Sequence, residues 1–117
     1  MASPIFGNTT IGSAVFTYNI VPGNNNAYDT QAVVVIQVGA VKSQAHLFTP
    51  TNPNWEQNGI LVGNATLDVN ITYTPPVPGG QLGNVTLNSG TIKVGTQAPQ
   101  SLTNATLVNW DNAGNVY

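Results

Sequence analysis

The feature that most constrains the fold of this chain is a segment of about half its length that occurs twice. Residues 7–18 match residues 63–74 in their order of glycine, amide, hydroxyl and apolar side chains. The chain has 117 residues, which is large enough for one hydrophobic core. The repeat therefore predicts a single domain, residues 1–117, with internal repeats at about residues 3–62 and 63–117. At the same offset of 55 or 56 residues, the further matches are Val21-Pro-Gly23 with Val77-Pro-Gly79, Ile36-Gln-Val-Gly39 with Ile92-Lys-Val-Gly95, and residues 54–59 with residues 109–114.

Both copies consist of strand-forming sequence. No window of about 11 residues places apolar side chains at helical spacing, and Thr, Val, Asn and Gly are abundant throughout. Alternation is clearest in residues 61–74, where Leu67, Val69 and Ile71 share one face and amide and hydroxyl side chains share the other. We expect one long strand here. Because that strand crosses the boundary between the copies, we expect the two copies to share a sheet.

The predicted strands are joined by short connections, which favour antiparallel neighbours. Residues 32–36 are apolar on both faces, which is typical of a central strand covered on both sides, and Asn88-Ser-Gly90 predicts a hairpin. We expect about eight strands in an antiparallel β-sandwich or jelly roll with an internal two-fold pseudo-repeat. A β-solenoid is the second interpretation, because Asn-x-Thr-Leu recurs at Asn64, Asn84 and Asn104.

The second unusual property is the scarcity of charge. Charged residues make up 5% of the chain, against about 25% in ordinary soluble proteins. The two cationic residues are Lys42 and Lys93, and the chain has no arginine and no cysteine. Two lysines cannot form a cluster that neutralises phosphates, so we expect no nucleic-acid partner. A neutral surface rich in Asn, Thr, Gln and Gly suits neutral partners, which are sugars or other copies of the chain.

The beginning of the chain, Met1-Ala-Ser-Pro-Ile-Phe-Gly7, has no basic residue followed by an apolar run. No signal peptide is therefore visible in the given chain. The longest apolar run is residues 32–36, and a membrane-spanning helix needs about 20 such residues, so we expect no transmembrane segment. We expect an extracellular location or the surface of a virion.

Two tryptophan motifs are the strongest candidates for a binding site. Each places an aromatic ring beside a carboxylate and several amides. A sugar needs a flat apolar surface for its C–H face and polar groups for its hydroxyls, so each motif predicts a monosaccharide site on an exposed loop. The alternative is that each tryptophan is a core residue at the end of a strand. The carbohydrate-binding residues would be Asn54, Trp55, Glu56, Asn58, Asn109, Trp110, Asp111 and Asn112.

No pattern in the sequence predicts catalysis. Glu56 and Asp111 could act as a pair of carboxylates only if their two motifs meet in space. His46 is the single histidine and has no candidate nucleophile beside it. We expect a protein that is not an enzyme, with no catalytic residues and no cofactor.

A calcium site is considered and not expected. Calcium takes about six to eight oxygen ligands with several carboxylates among them, and residues 24–29 supply one acid. Tyr28-Asp29 leading into residues 32–36 resembles a segment of calcium-dependent bacterial fucose lectins. The acid cluster that forms their site is missing, so we assign no family and expect no metal site.

Asn-x-Thr sequons could carry glycans in a secreted protein. A simpler cause is that Asn and Thr two residues apart share the solvent face of a strand, so a polar alternating strand produces sequons by geometry. The sequons begin at Asn8, Asn64, Asn70, Asn84 and Asn104.

The ends of the repeat pattern favour assembly. Residues 4–6 occupy the place that residues 60–62 hold before the second copy, and residues 114–117 stand where a third copy would begin. Repeats bury their faces against neighbours, so open ends tend to bind the next molecule. The first hypothesis is a non-enzymatic, self-assembling structural β-domain, such as a subunit of an extracellular filament, a virion or a lattice. The alternative is a small lectin with two equivalent tryptophan-centred sugar sites, binding neutral glycans.

Overall fold

The computed structural model describes residues 3–117 and contains strands and turns. The prediction of an all-β protein is confirmed, with ten strands rather than eight, in two antiparallel sheets of five strands each. No helix in the described residues is long and apolar enough to cross a membrane. The strands are β1 Ile5–Ile11, β2 Ala14–Ile20, β3 Ala32–Val38, β4 Val41–Lys42, β5 His46–Phe48, β6 Asn54–Val62, β7 Ala65–Thr74, β8 Gly83–Val94, β9 Gln100–Ser101 and β10 Ala105–Trp110.

Each sheet is built from consecutive strands. In sheet 1, β2 pairs with β1 and β3, and the far side of β3 pairs with the short strands β4 and β5. In sheet 2, β7 pairs with β6 and β8, and the far side of β8 pairs with β9 and β10. The chain passes between the sheets through residues 49–53. This connectivity is a pair of meanders and differs from the interlocked Greek keys of a jelly roll.

The predicted long strand over residues 61–74 is wrong, because the chain turns at Gly63-Asn64. Val62 pairs directly with Ala65, and Gly63 has φ +61°, which is the glycine-first geometry of a type II′ hairpin. No single strand crosses residue 62, but the predicted copies, residues 3–62 and 63–117, still meet in sheet 2, where β6 of the first pairs with β7 of the second. Glycines with similar φ values, from +57° to +61°, stand in the same place at three other turns, Gly12, Gly39 and Gly95.

The predicted hairpin at Asn88-Ser-Gly90 is also wrong, because β8 runs through it. Asn70 pairs with Ser89 and Ile71 pairs with Leu87, so Asn88 is an extra residue in a β-bulge. Glycine at position 90 allows the backbones of β7 and β8 to approach closely, since a Cβ atom there would lie 2.7 Å from the Asp68 carbonyl oxygen. The bulge keeps the strand intact where the sequence suggested a turn.

The inner faces of both sheets form one hydrophobic cluster, which makes the arrangement β-sandwich-like. The inward positions of β7 are buried as its alternation predicts, whereas Leu61, on β6, is 75% exposed. On β3 only one face is fully buried, and Val33 and Val35 on the other face are partly exposed, so the prediction of a strand covered on both sides is wrong. The largest fully buried side chains are Trp110, Phe16, Phe48, Ile20, Ile36, Leu67, Ile71, Leu87, Val34, Val62 and Val85.

Candidate functional site

Trp55 lies within β6 and is part of an aromatic cluster. Its ring stacks parallel to the His46 ring with 4.3 Å between centroids, and the Phe48 ring meets it at an angle of 68°. Only 6% of the side chain is exposed, and its indole N–H donates a hydrogen bond to Gln57 Oε1 at 2.9 Å. Burial in this cluster lowers the pKa of His46. The ring therefore packs β5 against β6 and does not stand on an exposed loop.

Trp110 is a core residue at the end of β10. It has no exposed surface, it stacks on Tyr73 with 6.1 Å between ring centroids, and its N–H donates to the Tyr28 carbonyl oxygen at 2.7 Å. The hypothesis of an exposed aromatic platform fails at this position, because burial leaves no ring face for a sugar. The two tryptophans are not structurally equivalent, since Trp55 lies on one edge strand of sheet 2 and Trp110 on the other.

Asp111 organises the loop that follows Trp110. Its carboxylate accepts hydrogen bonds from the backbone N–H groups of Ala113 and Asn115, from the Asn115 side chain and from the Tyr117 hydroxyl. The hydrogen bonds, first of all those from Asn115, lower the pKa of Asp111 to about 2. This carboxylate is therefore used to hold the loop together.

The backbone of the second motif is also hydrogen-bonded. The backbone carbonyl oxygen of Asn109 accepts a hydrogen bond from the Tyr117 N–H, and the backbone carbonyl oxygen of Asn112 accepts one from the Tyr28 N–H. The side-chain oxygen of Asn112 is buried without a protein partner. Asn112 also lines a depression of about 380 Å³ at this end of the molecule, together with Asp111 and Tyr117.

Glu56 and Asp111 do not form a catalytic pair. They belong to opposite edges of sheet 2, with β7 and β8 between them. Three strand spacings of about 4.8 Å amount to roughly 14 Å, whereas the carboxyl groups of glycosidases are about 5–9.5 Å apart. Glu56 instead accepts a hydrogen bond from Asn70 Nδ2 at 2.9 Å.

A polar depression on the outer face of sheet 2 was not anticipated from the sequence. It has a volume of about 440 Å³ and brings Glu56 and Asn58 near Asp68 and Asn70. Asp68 accepts hydrogen bonds from the Gly59 N–H at 2.9 Å and the Thr91 hydroxyl at 3.2 Å. The polar face of residues 66–74 was the available signal, but locating the depression required the pairing of β6 with β7. Among residues 3–117, no three His, Asp or Glu side chains are close enough to hold a metal ion.

The outer face of sheet 1 has the opposite character. Its strands carry no acidic residue, and their one cation is Lys42. The pairing register aligns Phe6, Asn19, Val33 and Leu47 in one row across four strands. Phe6 is 71% exposed and Leu47 is 44% exposed. We call the residues Phe6, Val15, Val33, Val35 and Leu47 the apolar face.

Comparison with known proteins adds no family to these observations, since no protein-family model, curated protein or solved structure matches the chain.

Proposed function

We propose that this chain is a non-enzymatic structural β-domain that assembles with copies of itself, as a subunit of an extracellular filament, a virion or a similar lattice. The observation that carries the proposal is the apolar face. Its exposed side chains, Phe6 and Leu47, stand on a sheet whose strands hold no acidic residue. Neutral polar residues such as Asn19 lie between these side chains on the same face. Exposed apolar side chains surrounded by polar residues mark interaction sites in soluble proteins.

The contrast between the two outer faces supports self-assembly through sheet 1. Glu56 and Asp68 both lie on sheet 2, where amides and hydroxyls satisfy them. This face has no acid, and its one cation, Lys42, lies on the two-residue strand β4, so little like-charge repulsion opposes packing on the same face of a second molecule. Two sheets that pack in this way lie about 10 Å apart with interlocking side chains.

The positions of the chain ends favour lateral contacts over the head-to-tail contact that open repeat ends suggest. The Tyr28 hydroxyl donates to the Ser3 carbonyl oxygen at 2.7 Å, and the Tyr28 N–H donates to the Asn112 carbonyl oxygen at 3.2 Å. Ser3 and Asn112 therefore both contact Tyr28, in the loop between β2 and β3. Growth through the sides uses the large sheet surfaces instead.

The proposal includes an internal duplication. Both sheets have the same plan, in which three consecutive strands are followed by two further strands that both pair with the third, although β10 is longer than β4, β5 and β9. The turns at Gly39 and Gly95 are 56 residues apart, as in the sequence repeat, whereas those at Gly12 and Gly63 are 51 apart. The offset of 56 instead places Gly12 at Asp68, inside β7, so the hairpin of β1 and β2 corresponds in sequence to a single strand. On this plan the two copies are divided at residues 49–53, where the chain changes sheets, rather than at residue 62.

Light scattering after size-exclusion chromatography tests the proposal, with negative-stain microscopy of the same fractions. We expect species larger than a dimer, and we expect Leu47→Lys to reduce them at least tenfold. Leu61→Lys is the matched control, because Leu61 is also an exposed strand leucine but lies on β6. A wild-type protein that stays monomeric at high concentration, or equal behaviour of both variants, would contradict the proposal.

Binding of neutral glycans is the second candidate. The observation that favours it is the polar depression of sheet 2, where Glu56 and Asn58 are neighbours of Asp68. Trp55 contributes to a separate depression of about 360 Å³ with Gln57. A glycan array with wild type, Glu56→Gln and Trp55→Phe tests it, since specific binding should be lost in at least one variant that remains folded. An array without binding removes this candidate.

A further inference from the structure

The edge strands of the two sheets differ in how well they are protected against pairing with a strand of another molecule. On β6 the ladder is interrupted by a bulge between Gln57 and Ile60, and Glu56 adds a charge. On β10 a bulge lies between Thr106 and Val108. The end of β10 is covered as well, because Trp110 forms an antiparallel bridge with Val116. Bulges, charges and covering segments are the devices that prevent edge-to-edge pairing.

The far edge of sheet 1 is protected by its short strands. It consists of β4, with two residues, and β5, with three, and the two are separated by residues 43–45. Lys42 lies on β4. Short interrupted strands with a lysine offer little template for a new strand.

The remaining edge, β1, has none of these protections. Its seven residues, Ile5–Ile11, contain no charge and no proline, and they pair with β2 in an unbroken register. β1 is also held in place, because the Thr9 hydroxyl donates to the Leu107 carbonyl oxygen of sheet 2 at 3.0 Å. A regular, uncharged edge strand is a ready template for another chain.

The turn after β1 determines which backbone groups are free. Ile11 pairs with Ala14 across a loop of two residues, which requires that these two exchange both hydrogen bonds. Alternate residues of β1 therefore bond to β2. The residues between them, Phe6, Asn8 and Thr10, direct their N–H and C=O groups away from β2, in the plane of the sheet and towards its free edge.

We propose that β1 pairs antiparallel with β1 of a second copy, about a two-fold axis that passes beside Asn8. This inference rests on the proposed function and names the contact. Asn8 lies opposite Asn8 of the second copy, and Phe6 lies opposite Thr10. All six N–H groups of these residues in the two strands then find a carbonyl oxygen.

The sequence of β1 fits this register from both ends. The register also places Ile5 opposite Ile11 of the second copy, so apolar side chains meet on the inner side. The next position would place Pro4, which has no N–H, opposite Gly12, which is in the turn. The pairing therefore ends where the strand ends. A neutral segment that matches its own reverse in this way is suited to a copy of itself rather than to a charged partner strand.

Charge substitutions at Asn8 test the register. In Asn8→Lys or Asn8→Glu, each dimer would hold two like charges face to face, so we expect the dissociation constant of this dimer to rise at least tenfold at low salt. A mixture of the two variants places Lys opposite Glu, and we expect heterodimers by native mass spectrometry. Asn58→Lys makes the same change at an exposed position of the bulged edge strand β6 and should associate as wild type does.

Hydrogen exchange of the wild-type protein gives a test without substitution. The amides of Phe6, Asn8 and Thr10 should exchange more slowly as protein concentration rises, while exchange of the amides of residues 56–59 on β6 should not depend on concentration. If the wild type associates but Asn8→Lys matches it, if the mixture forms no heterodimer, or if exchange at the three amides is independent of concentration, the β1 contact is overturned and self-assembly stands. A wild type that never associates overturns both.

Discussion

Trp110 shows how a residue that is suitable for a binding site can be used entirely for packing. Its indole is enclosed by Tyr73, and its N–H satisfies the carbonyl oxygen of Tyr28, which lies in the loop between β2 and β3. Trp55 has a comparable hydrogen bond, but its acceptor is the side chain of Gln57, an exposed residue. The same residue type therefore stabilises the fold to different extents at the two positions.

Trp110→Phe should lower the free energy of unfolding by about 2–4 kcal/mol, because it leaves a cavity and a buried carbonyl oxygen without a donor. Trp55→Phe is the matched control and should cost about 1 kcal/mol, since Gln57 can turn to water. Urea unfolding followed by circular dichroism measures both. Equal losses of unfolding free energy in the two variants would show that the hydrogen bond to the Tyr28 carbonyl oxygen contributes no more to stability than the one to Gln57.

His46 should make stability depend on pH. Its pKa is lowered from 6.5 in the folded state by burial, so the unfolded chain binds the proton more readily. The contribution of neutral His46 is complete above about pH 6.5 and is lost as pH falls through that value towards the lower folded pKa. Unfolding measured at intervals from pH 7.5 to pH 5 should show this decline in wild type. In His46→Gln the decline should be absent, and an unchanged decline would assign it to other groups.

Three two-residue hairpin turns with glycine first show that turns are encoded locally: Ile11-Gly-Ser-Ala14, Val38-Gly-Ala-Val41 and Val62-Gly-Asn-Ala65. Val94-Gly-Thr-Gln97 has the same pattern but begins the longer connection from β8 to β9, since Ile92 pairs with Gln100. Glycine followed by a small or polar residue between strands is the signature of a type II′ turn. In the sequence, a period of two residues continues from Leu61 through Gly63 to Ala65, and that continuity concealed the turn at Gly63.

Gly63→Ala tests the turn that separates β6 from β7. Its φ of +61° disfavours a side chain, and a Cβ atom would lie 3.1 Å from Val41 Cγ2. Gly39 also has φ +61° but has open space around the same position, so Gly39→Ala isolates the backbone cost of about 1–2 kcal/mol. We expect Gly63→Ala to cost about 1 kcal/mol more in thermal or urea unfolding. Addition of Val41→Ala to Gly63→Ala should remove this additional loss of stability. If Gly63→Ala and Gly39→Ala cost the same, the Val41 side chain moves aside without cost.

At the scale of the whole molecule, the two proposed contacts use different surfaces of sheet 1. The β1 edge pairs in the plane of the sheet, and the apolar face packs perpendicular to it. Each contact is symmetric and closes into a dimer by itself, but the two alternating along a row of molecules generate an open chain. A filament therefore needs both the β1 contact and the contact through the apolar face.

The double variant Asn8→Lys, Leu47→Lys should be monomeric, while each single variant retains the dimer made by the other contact. Sedimentation velocity over a range of concentrations distinguishes these species. The control is Asn58→Lys, Leu61→Lys, which carries the same charge on β6 and should assemble as wild type does. Large species that persist in the first double variant would place the assembly contacts elsewhere.

The amino-acid sequence by itself determined the all-β class, the alternating inward set of β7 and the scarcity of charge, because these follow from side-chain type and from a period of two residues. It did not determine the burial of Trp110, the turn that separates β6 from β7 or the neighbouring positions of Glu56 and Asp68. Each of these depends on which strands pair and where a ladder shifts by one residue. Such choices are made by contacts between residues far apart in the chain, as between Tyr28 and Trp110, and only the tertiary structure contains them.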